Sequence, residues 1–378
     1  MEHLGANERL VLGALRDRSP ASRAGLAELT GLPGTTVVGV VARLLARGLV
    51  EERESGPDGR RGRRAALLTL KPGGGRVGAI AVSHRKLRCG VVGRDGALLL
   101  RRDADLTAVR GEAGIIDLAV GLLGAEELDE VVVGVQAPFE RGTGVLESTG
   151  AGHDEPRLRS DPSAALAARL GVPVTAENDA NLGALGEARF GAGRGLRSFI
   201  YVKVAEGLGA GLFLDGSLYR GARGLAGELG HVQVADDGPW CRCGARGCLL
   251  HLIKGSARSY LADAYGKTVT FEDALGLRVL TDAGRRVGRV LADVCTVLAP
   301  EAVVVDGALG VATGPFLAGI REMLDRHTAP VLAGTVRLLG GELGDNAELL
   351  GAAVLGAAAV GAAALGVDKP TLVRPKGC

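Results

Sequence analysis

Along the first fifty positions apolar residues recur at intervals of three and four, and glycine and proline break the runs. Three helices are predicted over residues 6–50. In the second, residues 22–30, Ser22 stands where an N-cap is needed and Leu26 and Leu29 share a face. Gly31-Leu-Pro-Gly34 stops it, and residues 35–47 restart with Val37, Val40, Val41, Leu44 and Leu45 at helical spacing. Helix, tight glycine-containing turn, helix is the helix-turn-helix order, which an ordinary helical hairpin shares. The period then switches to two. Residues 50–54 and 65–70 read as strands around "SGPDGRRGRR", a hairpin whose tip carries Arg60, Arg61, Arg63 and Arg64. Guanidiniums on a thin, glycine-rich backbone suit phosphates and a narrow minor groove. A solvated basic turn is the plainer alternative. With the helix pair just before it, the hairpin reads as the wing of a DNA-binding winged helix. "KPGGG" at residues 71–75 is a linker.

From Arg76 strands and helices alternate. Strands are predicted at residues 77–82, 88–92 and 97–101, a helix at 114–123 and a buried strand at 130–135. A helix at 163–170 and a strand at 173–177 follow. Residues 198–204 and 210–214 form a hairpin, 302–306 a buried strand, and 347–365 a closing helix. Mixed sheets flanked by helices give an α/β class. The apolar run 349–365 is rich in Ala and Gly and falls short of a comfortable membrane span, so it reads as a buried helix.

Length and composition refine this picture. A chain of 378 residues is long enough for two or three domains, and 47% hydrophobic residues suffice for large cores. Aromatics at 3% leave those cores to Ala, Val and Leu. The net charge of +2 is unevenly spread, since residues 1–72 hold 12 basic and 8 acidic side chains. That local excess points toward nucleic acid. No apolar stretch follows a basic start, so no signal peptide is expected, and scattered Cys89, Cys295 and Cys378 fit a reducing cytoplasm.

Four constellations carry candidate chemistry. "ENDAN" at 177–181 follows a strand and opens a helix, where Asn and Asp also serve as plain caps. "EGLGAG" at 206–211 is a glycine turn between strands. "GLAGELGH" at 224–231 brings Glu228 and His231 three apart. Ten residues later come Cys241, Cys243 and Cys248 in "CRCGARGCLLH". Three thiols and one imidazole are the Cys₃His composition of a closed structural zinc site. A redox pair is the alternative, though its usual spacing is Cys-x-x-Cys.

Taken together, "LTGLPGTTVVGVVARLLARGLVEE", "GRRGRRAALLTL", "VTAENDANLGALGEARFG", "EGLGAGLFLDGSLYRGARGLAGELGHVQV" and "CRCGARGCL" resemble the ROK family (repressors, open reading frames, kinases) over nearly the whole chain. The resemblance implies a winged helix-turn-helix followed by a two-lobed actin/hexokinase-like body. It divides the chain into a DNA-binding domain at 1–72, a first lobe at 73–190 with the C-terminal helix 346–366 packing back on it, and a second lobe at 191–345 with the zinc knuckle. It implies zinc ligation by His231, Cys241, Cys243 and Cys248, and contacts to sugar hydroxyls from Asn178, Asp179, Glu228 and His231. In the family's kinases the residue at Asp179 is the general base.

The departures from the family pattern set the function. Where kinases carry an Asp-x-Gly-x-Thr phosphate loop, this chain has Ala81, Ser83 and Arg85. Glu206 stands where a hydroxyl is favoured, and Asp306 interrupts a glycine-rich turn. Retained sugar residues without phosphate residues are the pattern of a sensor, with Asp179 a vestigial base. The expectation is a cytoplasmic transcriptional regulator, a repressor by family habit. It would bind a palindromic double-stranded operator as a homodimer or homotetramer and sense a sugar without phosphorylating it. An active sugar kinase with a DNA-binding head is one alternative. Another is a regulator whose effector site has drifted, since Leu250 replaces a family Glu. In the recognition helix Val38-Gly39 replaces the frequent Ser-Arg, leaving Thr35, Thr36, Val38 and Arg43 to face bases.

Overall fold

The computed structural model describes residues 6–17, 20–46, 50–54, 66–70, 75–83, 85–93, 95–140, 144–145, 158, 160–205, 207–241, 243–251, 253, 274–307 and 313–363. The chain forms two compact units, residues 1–76 with 93–97 and 356–378, and residues 77–92 with 98–355.

The first unit contains α1 (Ala6–Asp17), β1 (Ala21–Ser22), α2 (Arg23–Thr30), α3 (Gly34–Ala46), β2 (Val50–Glu54) and β3 (Ala66–Leu70). Ser22 caps α2 by accepting from the Gly25 N–H at 3.1 Å. Gly31, at φ +69°, ends it in the left-handed conformation. The chain bends by 113° between α2 and α3, a helix-turn-helix angle. The spacing in α3 turns Val37, Val40, Val41 and Leu44 inward, where they pack with Val11, Leu15, Leu26 and Leu68. Leu29, expected beside Leu26, is exposed instead, and the core takes only Leu26 from that face. Three strands lie in the order β1-β3-β2, with β2 and β3 antiparallel from Val50 opposite Leu70 to Glu54 opposite Ala66. The short strand β1 had no signal in the sequence. The wing tip, with Arg60, Arg61, Arg63 and Arg64, lies outside the described residues.

The second unit is a duplicated sheet. Its first half contains β4 (Arg76–Val82), β5 (Lys86–Gly93), β6 (Leu98–Asp105), α4 (Gly111–Leu123), β7 (Glu130–Val135), a short pair β8 (Phe139–Glu140) and β9 (Gly144–Val145), α5 (Ser163–Leu170) and β10 (Val174–Asn178). After α6 (Asp179–Phe190), its second half contains β11 (Phe199–Val204), β12 (Leu208–Leu214), β13 (Ser217–Tyr219), α7 (Ala274–Leu298), β14 (Ala302–Gly307), α8 (Thr313–His327), α9 (Pro330–Ala333) and β15 (Arg337–Gly340). The last helix is α10 (Ala347–Ala363). The five-stranded sheets run β10-β7-β4-β5-β6 and β13-β12-β11-β14-β15. Each places a central strand between its own antiparallel partner and a parallel strand reached by a helical crossover.

The helix α6 is packed between the sheets. Leu182 joins Val77, Ala79 and Val132 of the first sheet, while Ala180 and Ala184 join Phe199, Tyr201 and Val304 of the second. The helix α10 covers the first sheet with Leu349, Ala352 and Ala353. Its buried residues agree with a core helix, and among the described residues no single helix is long and apolar enough to cross a membrane. Helices α6 and α10 approach so closely that only glycine fits. A Cβ on Gly186 would stand 2.2 Å from the Ala347 carbonyl oxygen, and one on Gly351 would stand 1.8 Å from that of Leu182. On the far side, Val287 and Leu291 of α7 and Phe316 and Ile320 of α8 pack against Ile200 and Val303. These two helices were not singled out in the sequence.

Candidate functional site

The thiol cluster is built by a loop folded hard against β12. Gly227, at φ +93°, sits where a Cβ would meet the Ala210 carbonyl oxygen at 2.0 Å. No other residue tolerates both the conformation and the space. A single 3₁₀ turn, Leu229–His231, then presents His231. The chain returns through bridges between Gln233 and Cys248 and between Trp240 and Arg246. Hydrogen bonds from the Cys241 N–H to the Ala245 carbonyl at 2.8 Å and from the Gly244 N–H to the Cys241 carbonyl at 3.0 Å close the knuckle.

His231 Nδ1 lies 3.4 Å from Cys241 Sγ, and the Cys243 and Cys248 sulfurs are 3.6 Å apart. One ligand atom from each of His231, Cys241, Cys243 and Cys248 falls within 4.8 Å of all the others. A tetrahedral zinc with Zn–S of about 2.3 Å and Zn–N of about 2.0–2.1 Å sets S···S near ~3.8 Å and S···N near ~3.6 Å. The donor set and its spacing therefore fit one small tetrahedral ion, and all four donors converge where a redox pair needs only two. Burial, with the charge of His251 beside it, holds the His231 imidazole below its usual pKa and so in the neutral form a metal requires.

The other imidazole nitrogen faces away from the thiols. Nε2 of His231 is 4.0 Å from Glu228 Oε2. Burial, with the nearby Asp179 charge, pushes the Glu228 carboxyl up to about 7. Asp179 opens α6 and is buried. Its Oδ1 accepts from the Ala180 N–H at 2.8 Å, and Lys203 Nζ stands 2.5 Å from Oδ2. Asn178 is the N-cap of α6. Its Oδ1 accepts from the Ala180 and Asn181 N–H groups, and its Nδ2 donates to the Ala137 carbonyl at 3.2 Å. Its acceptor is engaged by the cap, which leaves one Nδ2 hydrogen for a ligand. Glu177 binds Arg220 at 2.8 Å and Asn181 at 3.0 Å. Leu250 packs against the core of the second sheet.

The residues at the phosphate-loop positions are engaged in local structure. Ala81 is buried in β4 opposite Gly134. The Ser83 hydroxyl donates to the Lys86 carbonyl and accepts the Lys86 N–H, and the Ser83 N–H also donates to that carbonyl. Arg85 is exposed in the hairpin turn. Asp306 is buried, accepting from Tyr201 at 3.3 Å and from the Gly307 N–H at 2.7 Å. Glu206 lies outside the described residues.

On α3, Thr35 and Val38 are exposed and Thr36 is half-buried. Arg43 is exposed but donates to Glu8 of α1 at 2.9 Å, which fixes its direction and leaves its outer nitrogens for a partner.

The sequence reading missed Lys203, Arg88 and Glu348. Their signal was faint: a lysine inside the apolar strand "FIYVKV" and a glutamate at the head of an alanine-rich helix, each ordinary alone.

A winged helix-turn-helix and a body of two sheets in repeated strand order, with a Cys₃His knuckle on the second, define a class of protein. The chain belongs to the ROK family, whose sequence model matches residues 77–359, and a MarR family model matches residues 4–61. The xylose repressor of Bacillus subtilis (strain 168) is 27% identical over 362 residues, covering 91% of this chain and 93% of that protein. The glucokinase of Thermotoga maritima is 29% identical over 293 residues, covering 70% of this chain and 92% of that protein. Among solved structures, a ROK family transcriptional regulator described as a homologue of the E. coli MLC protein superposes with a TM-score of 0.75. It is 21% identical and covers 95% of this chain and 97% of its own, a likeness of fold.

Proposed function

We propose that this chain is a DNA-binding transcriptional repressor whose kinase-like body senses a sugar and does not phosphorylate it. One observation carries the reading. The hydroxyl-binding set of Asp179, Glu228 and His231 stands together, while Ala81 and Ser83 are engaged in packing and in their own hairpin. A carboxylate that could organise Mg²⁺ is missing at Ala81, and the Ser83 amide that could cradle phosphate already donates to Lys86. Relatives matching nine-tenths of this chain are named xylose repressors, so D-xylose is the first sugar to test.

In this reading Asp179 and Glu228 accept from sugar hydroxyls, and His231 and the free Nδ2 hydrogen of Asn178 donate. Zinc held by His231, Cys241, Cys243 and Cys248 would fix the knuckle and orient the His231 ring, which couples the metal to the sugar site. Residues 1–72 bind an operator, with Thr35, Thr36, Val38 and Arg43 toward bases and Arg60, Arg61, Arg63 and Arg64 toward phosphates or the minor groove. A homodimer or homotetramer in the cytoplasm would place two heads on a palindrome, and sugar binding would bias the lobes toward a form with different half-site spacing. Selecting bound DNA from a random pool and titrating it with D-xylose and D-glucose tests the regulator. Sugar-dependent ATP turnover that disappears in Asp179→Asn would overturn it in favour of a kinase.

A further inference from the structure

A line of charged side chains runs away from Asp179 into the body. Lys203, next to the C-terminal end of β11, is buried, and its Nζ lies 2.5 Å from Asp179 Oδ2 and 2.5 Å from Glu348 Oε1. The same Glu348 oxygen accepts from Arg88 at 3.0 Å, and Arg88 reaches the exposed Asp345 at 2.9 Å. Two buried carboxylates, Asp179 and Glu348, thus share one ammonium, and Arg88 completes a neutral set of four. The other Glu348 oxygen is buried with no partner, as is Arg88 Nε. Glu348 therefore depends on the two cations at its Oε1. The charged or titratable groups facing Asp179 are Lys203 and Tyr201 from β11, Glu348 from α10 and Glu228 from the loop before His231. Of these only Lys203 is a cation.

We propose that Lys203 is a positioning residue of the sugar site, which holds Asp179 as a fixed, ionised hydrogen-bond acceptor and withdraws it from proton-accepting chemistry. The assignment rests on the reading of Asp179 as a sugar contact. A carboxylate that takes a proton must give up its share of the ammonium, and here that would leave a buried cation short of a partner. A carboxylate held in place by Lys203 can accept from a hydroxyl through a remaining lone pair without moving or changing charge. The site is thereby committed to hydroxyl donors, as a sensor needs, and Asp179 is a poor base even if a phosphoryl donor were present. The pair Lys203–Glu348 also ties the sugar site to the first turn of α10. Burial and attraction act oppositely on the two partners, and at Asp179 burial wins, which makes its cation decisive. Burial alone would lower the Lys203 pKa, but Asp179 and Glu348 outweigh it and the net shift is upward. Burial raises the Asp179 carboxyl and Glu348 adds to that, with Lys203 the main opposing influence.

Infrared spectroscopy of the full chain, with and without ¹³C-labelled aspartate, reads this directly. In Lys203→Met, Glu348 keeps Arg88 but Asp179 keeps no cation, so a protonated carboxyl band that shifts with aspartate labelling should appear at neutral pH, apart from the Glu228 band, which does not shift. The aspartate band should be missing from the wild type, from Lys203→Arg and from Lys203→Met/Asp179→Asn. Urea unfolding gives a second readout. Glu348→Gln should lower the midpoint of the wild type, where it strips a partner from both Lys203 and Arg88, by more than it lowers that of Lys203→Met, where only Arg88 loses one. If Lys203→Met fails to fold, Lys203→Met/Glu348→Gln still leaves Asp179 without a cation and should carry the same aspartate band. A fully ionised Asp179 in these variants, or an equal fall in midpoint from Glu348→Gln in both backgrounds, overturns the proposal. A D-xylose or D-glucose response left intact in Asp179→Asn would overturn the sugar reading beneath it. The infrared result, which needs no sugar, tells that failure apart from failure of the ion pair.

Discussion

Removal of the metal should loosen the knuckle without dissolving the body. The four ligands are carried by residues 231–248, and this segment has little else to hold it. Among the described residues five backbone bonds close it, from Val234, Cys241, Gly244, Gly247 and Leu249, Arg246 donates to the Gly238 carbonyl at 3.2 Å, and Leu229 and Leu249 anchor it to the core of the second sheet. Each bond contributes about 1 kcal/mol net, while ordering a residue costs about 1–2 kcal/mol. An ion held by the four donors would supply what the loop lacks. With free zinc at about 1,000 times Kd, binding adds roughly 4 kcal/mol to the stability of the folded form. For a unit of this size each kcal/mol moves Tm by about 2–4 °C, so chelation should lower Tm by roughly 8–16 °C. The sheets, whose cores are closed by α7, α8 and α10, should remain folded by circular dichroism. Elemental analysis should find one zinc per chain in the wild type and a loss in Cys243→Ser. A protein that is purified without stoichiometric metal, or whose Tm is indifferent to chelator, would refute the assignment of these four residues to zinc.

Glu228→Ala should abolish the sugar response while zinc content and sugar-free DNA binding stay normal, at a cost of about 1–3 kcal/mol per lost charged hydrogen bond; a DNA-binding titration with and without the sugar decides it. Replacing Arg61 and Arg63 with Ala should weaken DNA binding across sequences and flatten its salt dependence by roughly one unit per lost phosphate contact, as read by binding at several salt concentrations. Gly351→Ala places a Cβ 1.8 Å from the Leu182 carbonyl oxygen, so α6 and α10 must separate and the urea midpoint should fall by the equivalent of about 1–3 kcal/mol. Burial pushes the Cys89 thiol up to about 12 and the Cys295 thiol up to about 11. A raised pKa leaves little thiolate at neutral pH, so both should resist iodoacetamide until the pH approaches those values. Mass spectrometry of the alkylated native protein checks this.

Much of this protein could be read in one dimension. Helical spacing gave α2 and α3, and the Ser22 cap and Gly31 stop are local chemistry that acts wherever the chain goes. The candidate metal ligands were legible for the same reason. Cys241, Cys243 and Cys248 are near neighbours, and a loop that short must gather its own thiols. Three things needed the tertiary structure. The repeated strand order of the two sheets leaves no mark in periodicity, because each strand is read alone. The role of Gly186 and Gly351 depends on two helices 165 residues apart meeting face to face. The charge set around Asp179 joins Arg88, Asp179, Lys203 and Glu348 from four elements. In sequence each is an isolated polar residue. Only burial makes their pairing necessary, because an ion removed from water must find its partner wherever the fold places one.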